Sequence, residues 1–142
     1  MAILYAAYLT VLISTTVLNR NRVGVREMIL DPVHGFTKII TQGDVHSLRE
    51  ILSNMLLFLP FGFLTPLCLR IRRASPVILS GLALSASIEM TQYFLAVGYS
   101  ETEDIIANVT GLICGYLLLR GISCLWAKGT RRKNAVDKKA DS

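Results

Sequence analysis

The sequence predicts an all-α fold: a small polytopic membrane protein built as an antiparallel bundle of four transmembrane helices. Three observations predict it. Of the 142 residues, 52% are hydrophobic and 18% charged, with a mean hydropathy of +0.49, which is too apolar for a soluble domain of this length. The 15 Lys and Arg lie between and after long uncharged stretches instead of being spread over a surface. Four of those stretches approach the roughly 20 residues that cross about 30 Å of hydrocarbon. The net charge of +5 therefore points to membrane sidedness and not to nucleic acid.

The first span runs from Ala2 to Leu18. It lacks the basic leading segment of a cleaved signal and is followed at once by Asn19, Arg20, Asn21 and Arg22, so it is read as a retained helix. A long polar loop, 19–50, leads to the second span, Ile51 to Leu69, where Pro60 and Pro66 each remove a backbone donor and predict a kink. The third span runs from about Pro76 to Gly98, and the fourth from about Ile105 to Ala127. The transmembrane domain is thus expected over 1–127, with 128–142 a basic tail that is polar and without fixed structure. Cys68, Cys114 and Cys124 have neither disulfide nor metal spacing and are read as small buried apolar residues.

Sidedness follows from counting basic residues. Arg70, Arg72 and Arg73 share a side with Lys128, Arg131, Arg132, Lys133, Lys138 and Lys139; the other side holds Arg20, Arg22, Arg26, Lys38 and Arg49. Nine against five predicts both termini in the cytoplasm.

Asn54, Glu89, Gln92, Asp104 and Asn108 lie within or at the ends of spans, where a carboxylate at mid-depth costs about 2.5–3.5 kcal/mol. The alternating direction of the spans puts all five in one half of the membrane, the outer half if the termini are cytoplasmic. Gly81, Ser85, Glu89 and Gln92 share one face of the third helix, and Asp104, Asn108, Gly111 and Gly115 share one face of the fourth. The small residues predict a tight contact of helices three and four along Gly81, Ser85, Gly111 and Gly115, opening outward into a polar cleft. Asp104 also suits a helix N-terminus, and Ser100 and Glu103 have capping-box spacing. A purely structural reading, in which these polar groups only lock helix to helix at about 0.6 kcal/mol each, stands beside the functional one. His34 and His46 in the long loop have no ligand spacing, so no metal and no cofactor is expected.

Asn54-x-x-x-Phe58-x-Pro60-x-Gly62, then Glu89-x-x-Gln92, then Asp104-x-x-x-Asn108-x-x-Gly111-x-x-x-Gly115, in this order and spacing, resembles the VanZ-like family of bacterial membrane proteins. The similarity extends from the first span to about Leu119, and Arg26 with Asp31-Pro32 is similar to that family's loop after the first helix. The resemblance implies a multi-pass protein of the bacterial cytoplasmic membrane whose namesake gives low-level resistance to the glycopeptide teicoplanin. Members often carry an Arg before the Asp motif; here the segment from Tyr99 to Asp104 has no basic residue, leaving Arg49 or Arg26 as substitutes.

Two functions fit. In the first, the outer cleft formed by Asn54, Glu89, Gln92, Asp104 and Asn108 binds a cell-envelope component, a lipid-linked cell-wall precursor or a glycopeptide. In the second, the protein is a membrane enzyme acting on a lipid-linked headgroup, with Glu89 as general acid or base and Asp104 activating water or holding a cation.

Overall fold

In the computed structural model, residues 1–18, 26–97 and 99–140 are described, with side chains through 130. Arg20, Arg22 and the third span's expected end at Gly98 lie outside the described residues, as do the side chains of the tail's last basic residues. In chain order the described elements are α1 (Ala2–Ile13), running into a wider π turn (Ser14–Leu18), then β1 (Met28–Ile29), α2 (His34–Gln42) and α3 (Val45–Leu69). After these come α4 (Ala74–Leu95), β2 (Ser100–Glu101) and α5 (Thr102–Ala140). Three of the described helices are long and apolar enough to cross a membrane, over Val45–Leu69, Ala74–Leu95 and Thr102–Thr130. The apolar segment Ala2–Leu18 is shorter, near the lower limit of about 17 residues for a span.

α3 and α5 begin earlier than their apolar stretches suggest, whereas α4 ends at Leu95, short of the expected Gly98. α3 begins at Val45, six residues before Ile51, because Asp44 caps it by accepting from the His46 N–H at 3.0 Å and the Ser47 hydroxyl at 2.7 Å. Pro60 and Pro66 sit inside an unbroken α3. Near Pro60 the Leu57 carbonyl accepts from the Tyr8 hydroxyl at 2.8 Å, and Tyr5 pairs with Thr65 at 3.0 Å, so α1 is held to the proline-bearing stretch of α3 by its tyrosines. α3 and α4 end on residues in the left-handed region, Arg70 (φ 55°) and Ala96 (φ 52°). In both, the following N–H returns to a carbonyl of the last turn, Ile71 to Pro66 and Val97 to Gln92, which satisfies otherwise orphan acceptors.

The core lies where the four long elements meet: Leu12, Phe58, Phe61, Val77, Ile88, Leu112 and Tyr116. Contact is most extensive between α3 and α5. Glycine explains why. A Cβ on Gly62 would meet the Leu112 backbone, one on Gly111 the Met55 backbone, and one on Gly115 the Leu59 backbone. This corrects the expected partner of Gly111 and Gly115, which pack on α3 and not on α4. At about 100° per residue, Gly111 is turned about 60° one way from Asn108 and Leu112 about 40° the other. α5 therefore presents Gly111 to α3 and Leu112 to Gly81 of α4, and shared spacing alone did not resolve two neighbours so close in phase.

Beyond Leu119 every α5 side chain described is exposed, and the helix continues to Ala140 where the tail was expected to lack structure. Its Lys, Arg and Ala are good helix formers. Cys114 and Cys124 are exposed and Cys68 half-buried, which corrects the expectation that all three are buried; on spanning helices, exposed small apolar side chains face lipid.

Candidate functional site

α4 and α5 pair in a fixed antiparallel register. Gly81 faces Leu112, and the Asn108 carboxamide nitrogen donates to the Ser85 hydroxyl at 2.9 Å. One turn further, the same register puts Glu89 level with Asp104. All the polar members of this seam are buried: Ser85 0% exposed, Glu89 4%, Gln92 1%, Asp104 8% and Asn108 3%. Four of the five residues picked out in the sequence are thus gathered at one end of one helix pair. Asn54 is not among them. It is half-buried on α3 and lines a separate cavity with His46, Arg49, Glu50 and Ser53.

The cluster is tied to the first span and to β2. Gln92 donates through Nε2 to the Thr16 carbonyl at 2.9 Å, in the last turn of the first span. Glu89 accepts from the Glu101 backbone N–H at 3.0 Å. Among the described residues, two buried acceptors, Gln92 Oε1 and Asn108 Oδ1, have no hydrogen-bond partner. Buried polar atoms are satisfied in the great majority of cases, so two at one seam call for an explanation.

Where an outward-opening cleft was expected, the seam is roofed. β1 and β2 pair in parallel, Met28 with Ser100 and Ile29 with Glu101, and the Ser100 N–H donates to the Glu27 carbonyl at 3.2 Å. This small ladder draws the long loop over the end of α4, and its Glu101 N–H covers the Glu89 carboxylate. Beside the roof a cavity of about 30 Å³, room for one or two waters, is lined by His34, Lys38, Glu50, Glu101, Glu103 and Asp104 among others. Burial, then the neighbouring Glu50, pushes the Glu101 carboxyl above its ordinary range, with Glu103 adding to the rise and His34 and Lys38 opposing it. Among the described residues no three His, Cys, Asp or Glu side chains form a group suited to a metal ion.

Glu103 takes a role its spacing did not announce. Instead of completing a capping box with Ser100, which lies in β2, it crosses to the start of α2 and accepts from the Gly35 N–H at 2.6 Å and the Phe36 N–H at 3.1 Å. α2 has no side-chain cap of its own, and a carboxylate at its N-terminus also meets the positive end of the helix dipole. Thr16 carried no signal at all, being one β-branched residue in an apolar span.

Helices apolar enough to span, packed through glycines and carrying a buried polar seam at one end, define a small polytopic membrane protein. The chain belongs to the VanZ/LLP1 family, whose pattern matches residues 1–126. It is similar to Protein VanZ of Enterococcus faecium, 33% identical over 75 residues, covering 53% of this chain. That stretch is 46% of the relative, so the chain matches about half the length of that curated protein. No solved structure matches the chain.

Proposed function

We propose that the chain acts at the bacterial cytoplasmic membrane, both termini inside, as a VanZ-like protein that confers low-level tolerance to a glycopeptide such as teicoplanin. It does so by engaging a cell-envelope component at the outer end of the α4–α5 seam. The observation that carries this reading is the pair of buried, unpartnered carboxamide oxygens, Gln92 Oε1 and Asn108 Oδ1, on the same seam as Glu89 and Asp104. These oxygens lie under the roof of the seam, so they accept only from a ligand that displaces it, and they ask for donors. Amides, amines and hydroxyls, the groups that peptide- and sugar-bearing wall precursors and glycopeptides carry, match them. Asn54, on the neighbouring face of α3 with Arg49, widens the polar surface at the same end.

A purely structural locking role needs only the donor halves of these amides, the bonds to Thr16 and Ser85, so it predicts that Gln92→Leu and Asn108→Leu lower membrane abundance along with tolerance. Teicoplanin susceptibility of a strain with and without the chain, and with Gln92→Leu or Asn108→Leu, separates the two readings. The account expects tolerance lost in both variants at unchanged membrane abundance, whereas full tolerance in both contradicts it.

The enzyme reading rests on the two carboxylates, Glu89 and Asp104, placed at one level by the helix register, with Glu89 as general acid or base. Turnover of a polyprenyl or phospholipid headgroup by purified protein, lost in Glu89→Gln, decides for it.

A further inference from the structure

A third cavity differs from the two already described. It measures about 250 Å³ between α2, α3 and α5, and its walls include Phe36, Ile51, Met55, Ile106, Ala107 and Thr110. Two polar side chains reach its wall: Glu103, whose carboxylate oxygens accept from the Gly35 and Phe36 N–H groups, and Thr110, whose hydroxyl donates to the Ile106 carbonyl; the rest of the lining is apolar. Ile106 and Thr110 are exposed on the spanning part of α5, so the cavity opens sideways, toward where hydrocarbon surrounds the bundle. From Glu103 to Thr110 is seven residues, about 10 Å along the helix axis, running inward from the end of the span. α2 forms the outer wall. Its Phe36 and Ile40 are 54% and 80% exposed, the apolar side of a short amphipathic helix lying beside the start of α3.

We propose that this groove seats one acyl chain of a membrane phospholipid. An apolar void of this size forfeits dispersion contacts along its whole lining, and water does not fill it well. The partner present at this depth, continuous with the lipid-facing surface of α5, is an acyl chain, which restores those contacts without needing a polar group. The seated chain holds α2 against α3 and α5, with its headgroup at the level of the roofed seam. The inference goes beyond the proposed function and does not depend on which residues serve it.

The test is phospholipid retention by the full-length protein. Detergent-purified chain is stripped, reloaded with dioleoylphosphatidylglycerol and weighed by native mass spectrometry, alongside Ala107→Phe and Thr110→Trp. Ala107→Phe fills the groove from inside. Thr110→Trp blocks its mouth from an exposed position, so it remains informative if the first variant fails to fold. The expected result is one retained lipid per wild-type chain, at least ten-fold less retention in Thr110→Trp and in any folded Ala107→Phe, and at least ten-fold less of a dihexanoyl analogue by the wild type. Equal retention in wild type and Thr110→Trp overturns the proposal. So does retention of a polyprenyl phosphate with none of the phospholipid, or a two-chain mass that Thr110→Trp abolishes, since either gives the groove another occupant. Because no resistance assay enters, loss of tolerance in Gln92→Leu and loss of lipid in Thr110→Trp report on different claims.

Discussion

At the residue scale, Glu103 shows how one carboxylate sets the position of an element it does not belong to. Gly35 is buried and its N–H donates to Glu103, so removing Glu103 leaves that donor without its carboxylate partner. Glu103→Ala should loosen α2 by about 1–3 kcal/mol, the cost of leaving buried donors unmade, while leaving the spanning helices folded. Hydrogen exchange would show the α2 amides opening faster and the mid-α3 amides unchanged; unchanged α2 exchange would mean another group holds it. Glu101 behaves differently. Its carboxyl is pushed up by burial and by Glu50, so the fold disfavours its charged form. The favourable neutral state is present below the ordinary Glu pKa of about 4.3 and is lost as pH rises through the raised value. Glu101→Gln should therefore melt higher than wild type at pH 7 and equal to it below about pH 4, by a small margin because Glu101 is only half-buried. A variant that melts lower at pH 7 would contradict this sign.

At the element scale, α3 and α5 approach closely because three glycines let backbone meet backbone. Gly111→Ala should destabilise the detergent-solubilised bundle by about 1–3 kcal/mol, the range for overpacking a closed contact, because the added methyl meets the Met55 main chain, which has little freedom to move. Gly121→Ala, with open space around it on the same helix, should be neutral or gain about 0.5–1 kcal/mol. Thermal melts of the two variants make the comparison, and equal behaviour would mean α3 and α5 do not meet along Gly111. The spans were legible in the sequence because length and apolarity alone decide them. So was the gathering of Glu89, Gln92, Asp104 and Asn108, which follows from chain direction and helical phase. The partner of Gly111 was not legible, since a 60° difference in phase separates two neighbours and a spacing pattern does not resolve it. α2 was missed although Gly43 and Asp44 mark its stop and the next start, because its nine residues are too short for an apolar search. The two-residue strands carry no pattern at all; they form because the loops on either side of the seam's end are brought together by α4 and α5.

At the scale of the whole molecule, a small membrane bundle gathers its buried polar groups at one end and carries exposed basic residues, Arg70, Arg72, Arg73 and Lys128 among them, at the other. Sidedness is then the first thing to establish. With nine basic residues against five, reporter fusions after Ser142 should read cytoplasmic and fusions in the loop between α2 and α3 should read outside, whereas the reverse pattern would place the polar seam in the inner leaflet. The central claim, that the seam serves function more than folding, is tested most directly at Glu89. Glu89→Gln keeps an oxygen able to accept the Glu101 N–H while removing the charge. Teicoplanin tolerance should fall to that of a strain lacking the chain, while membrane abundance and melting temperature stay at wild-type values. Full tolerance in Glu89→Gln at normal abundance would contradict a required charge or proton at Glu89 and leave the carboxylate a part of the packing.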